Sequence, residues 1–385
     1  MVRKKIFVFS TTRAEYGLLK NLIQNNNYKN LDIKLVVTGS HLSKKFGSTI
    51  NEIKKDKVKI FKTIKILSKD NNTSSSLNYI DCFNKVDKFL KLRKPDLVIL
   101  LGDRFETFAI ANACNFNKIK ICHIQGGEIT QGSMDDFYRH AITKFSHIHF
   151  TATKNAKLVV KQLGENPRYI FNTGSLLLDN FKNHKKLNKK KLEQLLKIKF
   201  FKKNLMLTLH PSSNHFEKIR LETKILSSVI SELKNIMFIV TYPNQDAGHE
   251  IIIKAFTKLK KKVSNLKIYK SLGQKIYHSC LDVVDGVIGN SSSGIIEAPY
   301  FNKKVINVGD RQHGRIIGIQ NVKTVKFNKR KIIKSINFIL NNRVKNKKNN
   351  YIYGKSPAAP KILKILSNLN LEDIKFNKTF NTITH

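Results

Sequence analysis

The stretch Leu97-Val98-Ile99-Leu100-Leu101-Gly102-Asp103-Arg104-Phe105-Glu106 decides the fold. Five apolar residues in a row, too short a run for a typical helix and without alternation, fit a strand covered on both faces, as in parallel sheets. The run breaks at Gly102, and a helical pattern over Phe105–Phe116 follows, which makes a βα unit. The same unit recurs outward from it. Strands are predicted at Lys5–Phe9, Ile33–Thr38, Ile119–Ile124 and His147–Thr151, and helices at Glu15–Gln24, Leu77–Leu92, Tyr138–Lys144 and Lys154–Leu163. A Lys/Asn-rich stretch, Asn180–Lys203, precedes a second series of strands at Leu205–Leu209, Ile236–Thr241, Leu266–Tyr269, Gly286–Gly289 and Val305–Val308. A polar break at Asn341–Asn350 leads to a last helix from Pro357 to Leu369, and Asn370–His385 reads as a frayed or loosely docked tail. The alternation predicts an α/β protein of two doubly wound domains, residues 1–180 and 181–352, facing across a cleft that holds the active site, with residues 353–385 as an appendage.

Composition agrees. A chain of 385 residues is long for one core and natural for two. No apolar run approaches the roughly 20 residues of a membrane helix. The N-terminal Met1-Val2-Arg3-Lys4-Lys5-Ile6-Phe7-Val8-Phe9 mimics a signal peptide, but its apolar run stops at Ser10 with no cleavage site and reads as the first strand. Cys82, Cys114, Cys122 and Cys280 show no zinc spacing; they read as small core residues of a protein in a reducing cytoplasm. The formal charge of +44 raises nucleic acid as a partner, yet only 11 of 71 basic residues are Arg and the Lys are spread along the chain among Asn and Ile. No basic tail or nucleic-acid motif stands out, so the reading is a solvated Lys surface with neither nucleic-acid nor membrane partner. Where Lys is the default cation, Arg13, Arg104, Arg139, Arg311 and Arg315 inside polar, Gly-rich segments point to places that need a planar fork.

Those segments lie at predicted strand ends, where ligands gather in open parallel sheets. Gly289-Asn290-Ser291-Ser292-Ser293-Gly294-Ile295-Ile296-Glu297 joins a strand to a helix with three hydroxyls and free backbone N–H groups, and Arg311-Gln312-His313-Gly314-Arg315 ends the next strand. Together they read as a diphosphate site rather than a serine-capped turn, with Glu297 placed to accept from ribose hydroxyls. Ser10-Thr11-Thr12-Arg13-Ala14-Glu15-Tyr16-Gly17 is a second such turn, with Arg13 aimed at a phosphate; it lacks GxGxxG, so no dinucleotide cofactor is expected. Asp103 and Arg104, then Glu128 in Gly126-Gly127-Glu128, then Asp135 and Asp136 at a helix start, bring acids to one sheet edge. Singly, each acid could cap a helix or pair with a base; clustered, they suit general acid–base work. His210 in Thr208-Leu209-His210-Pro211 ends a strand of the second half, and Asn244 and Asp246 in Tyr242-Pro243-Asn244-Gln245-Asp246-Ala247-Gly248 are candidates for nucleotide or sugar contact. His123, His147 and His149 read as packed.

In this order, Arg13–Gly17, Gly102–Glu106, Gly126–Glu128, Asp135-Asp136 with Arg139-His140-Ala141-Ile142-Thr143-Lys144, His210-Pro211, Pro243–Gly248, Gly289–Glu297 and Arg311–Arg315 resemble the hydrolysing UDP-N-acetylglucosamine 2-epimerases, in the branch that serves sialic and legionaminic acid synthesis. The similarity runs from about Lys5 to Gly354. It implies a glycosyltransferase-B type fold of two Rossmann-like domains, with the C-terminal helix crossing back to the first, and a homodimer or homotetramer. It implies loss of UDP with abstraction of the C2 proton, then hydration of a 2-acetamidoglucal to the free manno-configured sugar, without metal or other cofactor. Acid–base roles fall to Asp103, Glu128 and Asp136 with Asp135 beside them. His210 assists the leaving diphosphate or orients a carboxylate. Arg13, Ser291, Ser292, Arg311 and Arg315 hold UDP, within a binding set that also takes in Arg104, Arg139, Asn244, Asp246, Ser293, Gly294 and Glu297. UDP-N-acetylglucosamine is the expected substrate. The rival substrate is UDP-2,4-diacetamido-2,4,6-trideoxyglucose, and a UDP-sugar glycosyltransferase is the rival activity.

Overall fold

The computed structural model describes residues 3–43, 48–66, 75–130, 134–182, 185–212, 215–243, 248–312, 321–342 and 351–382. The chain divides into two compact units, Met1–Asn183 with Ile352–His385, and His184–Tyr351.

The first unit holds a seven-stranded parallel sheet of β1 (Lys4–Ser10), β2 (Leu31–Val37), β3 (Ile60–Thr63), β4 (Leu97–Leu101), β5 (Lys120–Ile124), β6 (Ile148–Thr151) and β7 (Ile170–Asn172), in the order β3-β2-β1-β4-β5-β6-β7. Alternate residues of its central strands enter opposite cores. Ile6, Val8, Leu97, Ile99 and Leu101 join one apolar cluster, and Phe7, Phe9, Val98 and Leu100 the other. That two-sided burial is why the deciding stretch shows no alternation. The second unit holds β8 (Lys203–Thr208), β9 (Ile236–Thr241), β10 (Leu266–Tyr269), β11 (Gly286–Gly289), β12 (Lys304–Val308) and β13 (Val322–Val325), in the order β10-β9-β8-β11-β12-β13. In each sheet the order reverses between the first and fourth strands, β1 beside β4 and β8 beside β11, so the following loops diverge at the strand carboxyl ends and leave a crevice there.

Three observations depart from the sequence reading. The short edge strands β3 and β13 and the three-residue β7 were not expected from the pattern. The Lys/Asn-rich Asn180–Lys203 is no bare spacer: Asn188 caps the helix Lys189–Leu196, whose Leu192 and Leu196 are buried with Ile198 and Phe200. The C-terminal tail is not frayed as far as residue 382. The helix Ala359–Asn368 packs Ile362, Leu363 and Leu366 into the first unit, Leu371 and Ile374 are buried beside it, and Lys378 bonds Glu165 at 2.7 Å. Among the described residues, no helix is long and apolar enough to cross a membrane.

Candidate active site

At the switch point of the first sheet, β1 passes through Ser10-Thr11-Thr12 into the helix Arg13–Gln24. Thr12 caps that helix, its hydroxyl accepting from the Glu15 N–H at 3.3 Å. Glu15 reaches back to accept from the Thr11 N–H at 2.6 Å and the Thr11 hydroxyl at 2.8 Å, a variant of the capping box. Burial pushes this carboxyl up to about 7, against the pull of the Thr11 bonds and of Arg104. Arg13, expected at a phosphate, is instead paired at the surface with Glu52 at 2.9 Å.

The acids after β4 and β5 meet around one guanidinium. Arg139, on the helix Met134–Phe145, is only 3% exposed. Its Nε donates to Asp103 Oδ2 at 3.0 Å, and Nη2 donates to the same oxygen. Its Nη1 donates to Asp136 Oδ1 at 2.7 Å and to the backbone carbonyl of Glu128 at 2.6 Å. One planar fork thus fixes the end of β4, the loop after β5 and the first turn of the helix, a task beyond a single ammonium. Thr130 N–H adds a 2.7 Å bond to Asp136 Oδ1. The Asp135 carboxyl is raised above its ordinary range by loss of water around it and then by Asp103. Arg104, also a fork in the sequence reading, pairs with Glu106 at 3.1 Å. Among the packed histidines, His123 ties this region together: Nε2 donates to the Gly102 carbonyl at 2.8 Å, and Nδ1 lies 3.1 Å from the Thr143 hydroxyl on the Arg139 helix. Burial drives its pKa down to about 3, so it is neutral and acts as a strut.

In the second unit the corresponding switch point is clamped by Asn290, which is fully buried. Its Oδ1 accepts from His210 N–H at 2.7 Å and its Nδ2 donates to the His210 carbonyl at 2.8 Å, so an amide side chain continues the ladder between β8 and β11. The Asn290 carbonyl accepts from Arg311 Nη1 at 3.3 Å and from Gln312 Nε2 at 2.9 Å. His210 and Arg311, far apart in sequence, are thereby held by the same residue. Burial and then the Arg311 charge push the His210 pKa down to about 4, so near neutral pH it is an uncharged imidazole. Ser291 precedes the short helix Ser292–Ile296 without capping it; its hydroxyl lies 3.0 Å from that of Ser293, which is 2.8 Å from the Tyr277 hydroxyl. Ser291, Ser293 and Gly294 line a recess with Thr208, Gly289 and Asn307. Glu297 is bound by the buried His278, Nε2 to Oε2, at 2.7 Å. Asn244, Asp246 and Arg315 lie outside the described residues.

The model of the UDP-N-acetylglucosamine 2-epimerase family matches residues 23–367. The chain belongs to this family. It is 39% identical over 319 residues to a GDP/UDP-N,N′-diacetylbacillosamine 2-epimerase (hydrolyzing) of Campylobacter jejuni, covering 82% of this chain and 83% of that protein. It is 36% identical over 343 residues to the polysialic acid biosynthesis protein P7 of Escherichia coli, covering 87% and 85%. Its fold matches the crystal structure of the UDP-GlcNAc 2-epimerase from Neisseria meningitidis bound to UDP-GlcNAc, with a TM-score of 0.78 at 20% identity over 94% of this chain and 98% of that one. The fold is therefore α/β, two Rossmann-like parallel sheets of the glycosyltransferase-B type.

Within this member of the 2-epimerase family, Asp103, Asp136, the Glu128 loop and Arg139 come together, as do His210, Arg311 and the Gly289–Glu297 loop. The sequence reading missed Asn290, His278, Tyr277 and Glu15 as site-forming residues. Asn290 had a signal: it is a polar residue at the end of a buried strand, before the first serine, where an unpaired amide would be costly. His278 had none, because it sits mid-helix in Gly273–Val283. Among the described residues, no group of three or more His, Cys, Asp or Glu could hold a metal ion.

Proposed function

We propose that the chain is a hydrolysing 2-epimerase of a UDP-linked 2-acetamido sugar, with UDP-2,4-diacetamido-2,4,6-trideoxyglucose (UDP-N,N′-diacetylbacillosamine) as its substrate. The observation that carries this reading is the Arg139 fork. It engages one oxygen each of Asp103 and Asp136 and holds the loop of Glu128, giving a fixed set of carboxylates on rigid elements. Such a set suits a reaction that takes a proton from C2 as the C1–O bond breaks, forming the C1=C2 bond of a 2-acetamidoglucal and freeing UDP. Water then adds its hydroxyl at C1, and a proton enters C2 from the opposite face. Asp103, Glu128 and Asp136 serve as the acids and bases, with Asp135 as their neighbour. No cofactor enters.

Arg311, Ser291, Ser292, Ser293 and Arg315 hold the diphosphate, with Gly294 letting the loop lie close, and Glu297, oriented by His278, takes the ribose. Arg13 and Arg104 reach the substrate only by leaving Glu52 and Glu106. Asn244 and Asp246 contact the nucleotide or sugar. Charge on the departing diphosphate is met by the arginines; His210, uncharged at neutral pH, offers a hydrogen bond. The diacetamido substrate is supported by the name of the Campylobacter jejuni relative. UDP-N-acetylglucosamine, giving N-acetylmannosamine, is the second reading, supported by the Escherichia coli relative named for polysialic acid biosynthesis.

Proton NMR in D₂O with both UDP-sugars in parallel tests this. Deuterium at C2 of a released manno-configured sugar is the expected product, formed faster from the diacetamido substrate. Faster turnover of UDP-N-acetylglucosamine would exchange the two readings. UDP release that requires an acceptor sugar would replace both with a glycosyltransferase.

A further inference from the structure

The helix Met134–Phe145 carries Asp136 and Arg139 near its N-terminus, and its C-terminal end is closed by the tail. The last carbonyls of a helix have no partner within it. Here Ser146 satisfies two of them, its hydroxyl donating to Ile142 O at 2.7 Å and its N–H to Thr143 O at 3.1 Å. The next, Lys144 O, is met by Lys378 Nζ at 2.6 Å, which also donates to Ser146 O at 2.6 Å and to Glu165 Oε2 at 2.7 Å. Glu165 is buried; it accepts from Lys144 Nζ at 2.6 Å and lies 3.1 Å from His149 Nε2 on β6. An ammonium at a helix C-terminus is also attracted by the negative end of the helix dipole. The tail on either side is seated: the Phe376 ring lies 5.2 Å from that of His147, and Phe380 packs against Gly164, where a Cβ would fall 2.4 Å from the ring.

We propose that residues 376–380 form a latch that sets the tilt of the acid-bearing helix, and that Lys378 is a positioning residue for Asp136 and Arg139. A helix of 12 residues is roughly 18 Å long, so a tilt of about 3° at its rear moves its first turn by about 1 Å. A shift of that size at a reacting group costs between tenfold and a hundredfold in rate. The latch acts on the orientation of the carboxylates and not on Ser291, Ser292, Ser293 and Arg311, which are read as holding the diphosphate and belong to the other unit. The inference rests on the reading of Asp136 and Arg139 as site residues.

The test is Lys378→Met, with Lys378→Arg as the conservative variant and Leu366→Ala as a variant that lowers stability through the core of the same unit without touching the latch. Lys378→Met is expected to lower kcat about tenfold with KM within twofold. Lys378→Arg restores most of kcat, and Leu366→Ala keeps it near wild type. Hydrogen exchange of the amides in 134–145 is expected to quicken in Lys378→Met and not in Leu366→Ala. An unchanged kcat in folded Lys378→Met overturns the latch. If the wild-type protein turns over neither sugar, the proposed function fails, and exchange alone decides the latch: faster exchange in 134–145 supports it, and unchanged exchange overturns it.

Discussion

Gly289 and Arg139 show how much of each site depends on one residue. Gly289 has φ of +132°, and a Cβ there would fall 2.0 Å from the Thr208 carbonyl, a backbone atom that cannot step aside. Gly289→Ala is expected to lose about 3 kcal/mol or more of stability in urea unfolding, through clash and strained φ together. The Asn290 amide that follows bonds both backbone groups of His210, so Asn290→Ala removes two buried hydrogen bonds at the end of β8. The expected loss is about 2–4 kcal/mol, while the Asn290 carbonyl that accepts from Arg311 belongs to the backbone and is kept. For the acid set, Arg139→Lys keeps the charge and removes the fork. It is expected to lower kcat about a hundredfold while UDP affinity, measured calorimetrically, stays within twofold. Glu128→Gln should abolish turnover with UDP binding intact; near-normal turnover would remove Glu128 from the acid–base role.

At the scale of elements, legibility followed burial. The central strands β1, β4, β8 and β9 are nearly continuous apolar runs because helices cover both faces, and they stood out in the sequence. The edge strand β3, Ile60-Phe61-Lys62-Thr63, is exposed over its second half and β13, Val322-Lys323-Thr324-Val325, over its middle, so no period-two or apolar signal marks them. The helix Lys189–Leu196 was masked by its lysines, since two buried leucines four apart suffice to seat a helix that is otherwise solvated. The acid and serine loops were legible because polar residues after buried strands have few structural uses; the partners that orient them come from distant elements, as with Arg139 on Asp103. The return helix Ala359–Asn368 is another case. Its first turn is capped from afar by the buried Asp179, which accepts from Ala358 N–H at 2.8 Å and Ala359 N–H at 3.2 Å. Asp179→Ala leaves both donors orphaned and is expected to cost about 2 kcal/mol, with the loss visible as a lower urea midpoint.

At the scale of the whole molecule, the titration of buried groups sets how the protein responds to acid. Burial holds His41, His147 and His210 at about 4 and His123 at about 3, against 6.5 for a free imidazole. Between pH 6.5 and 4 the unfolded chain takes up protons that the folded chain refuses, so stability falls as pH falls through that window. Each histidine contributes a slope approaching about 1.4 kcal/mol per pH unit. Glu15 works in the opposite sense. Its folded pKa of about 7 lies above the ordinary 4.5, so the stability it contributes is present below pH 4.5 and lost as pH rises through 7. Asp135, Asp179 and Glu222, also raised by burial, act with Glu15, and His149, also lowered by burial, acts with the other four imidazoles. The five imidazoles take up protons in the unfolded chain from pH 6.5 downward, so acidification leaves a net loss. Glu165, held at about 2 within its ring of His149, Lys144 and Lys378, stabilises above pH 4.5 and gives that up as pH falls toward 2, extending the decline. A formal charge of +44 adds self-repulsion that grows as carboxylates protonate, but salt screens it, the Debye length falling to about 3 Å at 1 M. The two causes therefore separate. Urea midpoints at pH 7, 6, 5 and 4.5 should fall steadily at low salt, and at 1 M NaCl the curve should rise as a whole while keeping its downward slope below pH 6.5. A curve that flattens in salt would mean that repulsion governs acid sensitivity and that these histidines accept protons within the fold.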